Sequence, residues 1–309
     1  MLDLDTFLTA LYCMVDEFCK TLPPEAPRPG EAPALSRSEV ITLAVFGQWA
    51  RFQSERDFYR FAEQRLKSLF PTLPHRTQFN RQQRLHQEEI VAFSLFLARQ
   101  LAEPNHCYEA LDCTGVETRN SKRRGLGWLP GQADIGWSNR IGWYEGVHLM
   151  VSATPSGVIT GFGFAPASAQ DRSLADSFFL LRQEPQAGFE SVGTSPGVPY
   201  LADRGFEGKD AQRRWREERD TEVLSPPKRN SRAPWSKPLR RWLAGLRQII
   251  ETVFGKLQLT FRLRLERPHT LLGFQARLAA KIALHNFCIA LNRQFGRSNL
   301  TFADLLGWL

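Results

Sequence analysis

The chain holds no CxxC pair, although it contains five cysteines. Cys13, Cys19, Cys107, Cys113 and Cys288 are odd in number and scattered. That excludes a disulfide framework and points to reduced thiols in a cytoplasmic protein. No apolar run reaches the length that crosses a bilayer, so no membrane partner is expected. The opening Met1-Leu2-Asp3-Leu4-Asp5 is acidic where a secretion signal would be basic. HExxH, Cys/His clusters, a Walker glycine loop and GxGxxG are all absent, so neither zinc nor a nucleotide cofactor is implied. No internal repeat divides the chain.

What is present suits one large domain or two ordinary ones: 309 residues, 42% of them hydrophobic. The formal charge of +8 fits a polyanionic partner, and equally a merely basic enzyme. Arginine dominates the cations. Guanidinium suits phosphate, but a GC-rich genome produces the same bias.

Residues 1–103 read as a helical domain. Leu4, Phe7, Leu8, Leu11, Val15 and Phe18 recur at helical spacing. Thr21 to Pro33 is a proline-rich linker. Ser36-Arg37-Ser38-Glu39 is a capping box opening a helix to about Phe52. Ser54 caps a second helix over 55–69, and Thr77 begins a long third helix to about Leu101. These helices, with Arg81 on the last, match a helix-turn-helix, but local sequence favours a plain bundle, since many helix pairs share this pattern.

Residues 104–309 read as an α/β domain. Strands are expected at 107–113, 143–153, 158–165, 198–202 and 221–224, with a long loop over 115–142. Helices are expected at 171–182, 207–219, 239–259 and 271–295. This is the element order of an RNase H-like fold: a mixed five-stranded sheet flanked by helices, its first and fourth strands adjacent.

Three acids stand out in that frame. Asp112 lies near the end of the first strand. Asp203 ends the apolar run Pro199-Tyr200-Leu201-Ala202, followed by Arg204-Gly205-Phe206. An acid at the mouth of a buried strand needs compensation, from Arg204 or from a bound cation. On the last-but-one helix the core stripe is Leu239, Trp242, Leu243, Leu246, Ile249, Ile250, Val253, Phe254 and Leu257. A separate row carries Arg240, Ala244, Arg247, Glu251, Gly255 and Gln258, in which Glu251 is the sole acid. Alone, Arg247 and Glu251 read as a surface ion pair worth about 0.3–0.5 kcal/mol. Together, Asp112, Asp203 and Glu251 occupy the first strand, fourth strand and final helix that a two-metal nuclease of this fold uses. Their hard oxygens suit two Mg²⁺ or Mn²⁺ ions. Asp171 reads as a helix N-cap and His148 as a packed sheet histidine. Glu117, Asp134 and Glu145 have no comparable placement.

Ala110-Leu111-Asp112-Cys113-Thr114, Leu201-Ala202-Asp203-Arg204-Gly205-Phe206 and Arg247-Gln248-Ile249-Ile250-Glu251 together resemble bacterial insertion-sequence transposases of the DDE class. The likeness covers about residues 35–295. The family's usual Tyr and Lys around the last motif are replaced by Ala244 and Gln258. The resemblance implies nicking of double-stranded DNA by water, then attack of the released 3′-hydroxyl on target DNA, with no covalent protein–DNA intermediate. It also implies a homodimer in the DNA complex. Arg247 is the candidate phosphate clamp. Arg204, Arg81, and the basic loops of Lys122-Arg123-Arg124 with Trp128 and of Lys228-Arg229 with Trp235 are candidate DNA contacts. The rival readings are a host nuclease of the same fold and a DNA-binding descendant that has lost its chemistry.

Overall fold

The computed structural model describes the whole chain except residues 26–31, 102, 104, 105, 120, 121, 123–128, 184–188, 192–197, 229, 230 and 309. In chain order come α1 (Leu4–Lys20), α2 (Arg37–Phe46), α3 (Glu55–Arg65), α4 (Arg76–Leu85) and α5 (Gln87–Leu101). Then follow β1 (Glu109–Arg119), β2 (Asp134–Ser138), β3 (Gly142–Ala153), β4 (Ile159–Pro166), α6 (Asp171–Gln183) and β5 (Phe189–Ser191). The rest is β6 (Tyr200–Leu201), α7 (Lys209–Arg219), β7 (Val223–Leu224), α8 (Lys237–Gly255) and α9 (Leu271–Gln294).

Two compact units result. One comprises Met1–Leu97, Leu257–Leu265 and Thr270–Leu309, the other Ala98–Lys256 and Glu266–His269. These units cut the chain differently from a division at residue 103, because α9 belongs with the front helices. Its buried residues lie on every side, including Lys281, His285 and Asn286, so it needs neighbours all round.

In the helical unit, Asp3 caps α1 through the Thr6 N–H, and Ser36 with Glu39 forms the expected capping box on α2. α2 ends at Phe46, with Gly47 as its C-cap, and does not continue to Phe52. The helix expected from Thr77 to Leu101 is two helices, broken at His86. Glu88 and Glu89 make the following turn a good helix N-terminus. Phe7, Phe46, Trp49, Phe52, Phe58 and Trp308 interlock around this unit's core.

The second unit is built on a sheet of order β5-β4-β3-β1-β6-β7, with β2 added to β3. β1, β3, β4 and β5 are antiparallel to their neighbours, while β6 and β7 run parallel beside β1. Among the described residues seven strands are present where five were expected. β5 is one addition, and Asp134–Ser138 pairs with β3 inside the expected loop as the other. β1 also runs on to Arg119, through Gly115, which the sequence reading made the start of that loop. The Tyr144 ring explains this glycine: a Cβ there would come within 2.7 Å of it.

Leu111 and Met150 face α6 and α7, packing with Leu174, Phe178, Phe179, Trp215, Tyr200 and Phe206. Beneath them lies a buried ion pair. Arg182 of α6 donates from both terminal nitrogens to the Glu109 carboxylate at 3.0 Å, and Thr160 donates to it at 2.8 Å. α8 covers the opposite face of β1 through Leu243, Ile250, Val253 and Phe254. The expected core stripe fails at its start: Leu239 and Trp242 are 40% and 54% exposed.

Candidate active site

The parallel ladder between β1 and β6 matches Glu109 with Tyr200 and Ala110 with Leu201. Carried two residues further, that register sets Asp112 opposite Asp203. The Ala202 N–H still bonds the Leu224 carbonyl at 3.0 Å, and Asp203 keeps an extended backbone. The chain then turns sharply through Arg204–Phe206, with Asp203 Oδ1 accepting from the Gly205 N–H at 2.7 Å. β1 runs on to Arg119 while β6 ends at Leu201. The carboxyl ends of parallel strands are where open α/β sheets bind ligands.

Asp112 Oδ1 accepts from the Cys113 N–H at 2.8 Å, and its Oδ2 accepts from Arg247 at 2.9 Å. Arg247 therefore reaches across to Asp112 and does not form the surface pair with Glu251. Glu251 sits one helical turn further along α8 and is exposed. It makes no hydrogen bond or ion pair among the described residues. The structure thus brings Asp112, Asp203 and Arg247 to one place and leaves the Glu251 carboxylate in solvent.

Asp171 joins them, although the sequence reading made it a cap. It is the first residue of α6, and Gln170 accepts the first helical hydrogen bond, from the Leu174 N–H. The Asp171 side chain turns away from the helix. Its Oδ1 lies 3.4 Å from His148 Nε2, with the Cys113 sulfur nearby. Its Oδ2 overhangs Gly205, where a Cβ would strike it and stand 2.9 Å from Asp203 Oδ1. Cys113, His148 and Asp171 offer ligand atoms within 4.8 Å of one another. Strand pairing makes the cluster: Gly115 pairs with His148 across β1 and β3, so Cys113 and His148 share the sheet face that α6 covers.

Burial pushes the Asp112 carboxyl up to about 7; Arg247 opposes the rise, and Asp203 and Asp171 add to it. Asp171 is raised by burial, with His148 opposing and Asp203 reinforcing. The Cys113 thiol is raised by burial and by the neighbouring carboxylates. Three acids thus feel one another's fields, with the Arg247 guanidinium beside Asp112. The carboxylate oxygens of Asp112, Asp203 and Asp171 are hard donors that suit Mg²⁺ or Mn²⁺. Arg247 Nε is a buried donor with no acceptor, which leaves it able to receive an anion's oxygen.

The Asp112 shift carries a sign. The folded carboxyl binds a proton between its ordinary 3.8 and about 7, where the unfolded one does not. Stability of the ion-free protein should therefore fall as pH rises through that window. Urea unfolding in EDTA from pH 4.5 to 8 should show this slope, flattened in Asp112→Asn and offset by added Mg²⁺. An identical slope in the variant would refute the assignment.

Of the other expected DNA contacts, Arg204, Lys122, Lys228 and Arg81 are exposed. Arg123, Arg124, Trp128 and Arg229 lie outside the described residues. Among the described residues no helix is long and apolar enough to cross a membrane. A family model described as a transposase DDE domain matches residues 109–287. No curated protein and no solved structure matches the chain.

Proposed function

The chain belongs to the DDE transposases, and from that premise we propose that it cuts the ends of an insertion sequence and joins the released 3′-hydroxyl to target DNA. The observation that carries this reading is the pair Asp112 on β1 and Asp203 just past the end of the parallel neighbour β6, close enough that each carboxylate feels the other. The unit around them is read as an RNase H-like catalytic domain.

Asp112 and Asp203 would hold two divalent ions, with Glu251 completing one site. When bound, the ions supply an activated attacking oxygen and charge stabilisation at the leaving oxygen of an in-line displacement. The protein's own groups do the rest. Arg247 neutralises Asp112 at 2.9 Å before DNA arrives, and its buried Nε remains for a phosphate oxygen. This makes Arg247 the phosphate clamp. Arg204 follows Asp203 directly and meets the backbone from the exposed side. Lys122 and Lys228, with Arg123, Arg124 and Arg229 of the same loops, track flanking phosphates.

Among the helices, α4 presents Thr77, Gln78, Arg81 and Arg84 to solvent, a polar face suited to DNA. The connection from α3 to α4 spans residues 66–75, longer than the three or four residues of a tight helix-turn-helix. Reading by α4 thus needs a different approach angle. Two DNA ends must be held at once, which calls for a homodimer.

The test uses the full chain with duplex DNA carrying the sequences that flank its gene. Strand nicking in Mg²⁺ or Mn²⁺, followed by joined products when a target is added, is expected. Tight binding with no cleavage in either ion would leave a DNA-binding protein, and cleavage without joining would leave a nuclease.

A further inference from the structure

We propose that Asp171 is a fourth carboxylate of this divalent-ion site, presented across Gly205 to the ion held by Asp203, with His148 as its positioning residue. The inference rests on the ion-binding reading above and extends it to the α6 face of the sheet.

Asp171 is held through His148. The Ala169 carbonyl, 2.9 Å from His148 Nδ1, can only accept, so Nδ1 carries a proton. The ring is thereby oriented with Nε2 toward Asp171 Oδ1. A ring fixed through its far nitrogen by a backbone carbonyl is the usual arrangement around bound metals, where such partners set the orientation of the ligand. The Cys113 sulfur, on the same face, lies within 4.8 Å of the same carboxylate. The His148 contact leaves Oδ2 over Gly205.

Gly205 is where the chain makes this approach possible. Its missing Cβ lets Asp171 Oδ2 and Asp203 Oδ1 converge above the backbone of the turn. Two carboxylate oxygens brought together with no cation between them repel, and α6 gains nothing by the placement alone. Neither is capping the reason, since the carboxylate turns away from the helix's own N–H groups. Access exists as well. His148, Asp171, Arg172 and Gly205 line an open groove of about 520 Å³, walled by Trp137 and Trp143. A soft ion on Cys113, His148 and Asp171 is the competing use of these atoms, and a Co²⁺ spectrum distinguishes the two.

The experiment titrates the DNA-free full chain with Mn²⁺, following the unbound ion by its paramagnetic resonance. Asp171→Asn should bind Mn²⁺ at least about 10-fold more weakly than the unaltered chain, and His148→Ala should show a loss in the same direction. A merely structural Asp171 would behave otherwise. Removing a carboxylate that repels Asp203 should then leave ion affinity untouched, and the ion-free unfolding midpoint should hold or rise. His148→Ala carries the test if Asp171→Asn does not fold. Unchanged affinity in the Asp171 and His148 variants, with affinity lost in Asp203→Asn, overturns this inference and leaves the proposed function standing. Unchanged affinity in Asp203→Asn as well overturns both. A near-ultraviolet sulfur-to-Co²⁺ band that vanishes in Cys113→Ser would place the ion on the thiolate and also overturn it.

Discussion

Asp203→Asn should abolish Mg²⁺-dependent cleavage of end DNA, by at least about 100-fold, while DNA binding stays within a few-fold of the unaltered chain. Even an outer partner of a metal ligand costs 10–100-fold when removed, so the loss of a ligand itself should reach or exceed that range. The substitution keeps the shape of the side chain and its Oδ1 can still accept from the Gly205 N–H. The turn through Arg204–Phe206 should therefore survive. Removing one of the converging charges also relieves repulsion on Asp112, so the variant should be no less stable in EDTA. Cleavage on a labelled duplex, filter binding of the same duplex and a thermal melt together decide the matter. Normal cleavage with normal binding would remove Asp203 from the chemistry, and the two-ion reading with it.

Arg182→Met should destabilise the sheet unit by about 3–5 kcal/mol, the usual cost of stranding one member of a buried ion pair. The Arg182 and Glu109 side chains are 0% and 1% exposed, so solvent cannot take over the lost contacts. Such a loss should lower the melting midpoint by roughly 10–15 °C for a unit of this size. Arg182→Met with Glu109→Gln should recover part of it, because no buried charge is then left alone. The pair also has a pH signature. Burial works against the Glu109 charge, but Arg182, His106 and Thr160 hold its carboxyl down at about 2. A lowered acid contributes stability that is present above its ordinary 4.5 and lost as pH falls toward about 2. His106, raised chiefly by its contact with Glu109, contributes below its ordinary 6.5 and loses that contribution as pH rises. Acid unfolding of the unaltered chain should therefore be steep below pH 4.5, and markedly shallower in the double variant. Equal stabilities of single variant and parent would mean that the pair contributes nothing.

The same pair shows why part of the fold could not be read along the chain. Glu109 lies three residues before Asp112 in a strand whose apolar neighbours give no hint of a buried acid. Its partner is far off on α6, and only the packing of α6 over β1 joins them. Asp171 was misread for a related reason. An acid at a helix start normally caps it, and nothing local reveals a histidine of β3 and a cysteine of β1 waiting beside it. The strand count failed through backbone geometry. Asp134–Ser138 is short and lies among glycines and tryptophans, and it becomes a strand only because β3 offers an edge. On α8, Leu239 and Trp242 fit the apolar period but stand beyond the surface that the sheet covers.

Local chemistry was sufficient for the helical front end, the α/β alternation, the capping box at Ser36, the short strand before Asp203 and the strand that carries Asp112. Each depends on neighbours within a few residues, where propensity, hydrogen bonding and periodicity act directly. Long-range closure decided the rest: α9 packed with the front helices, Arg247 turned to Asp112 and away from Glu251, and Asp171 was drawn beside Asp203. Those outcomes depend on which surfaces meet when the sheet and helices pack, and no stretch of the chain carries that information by itself.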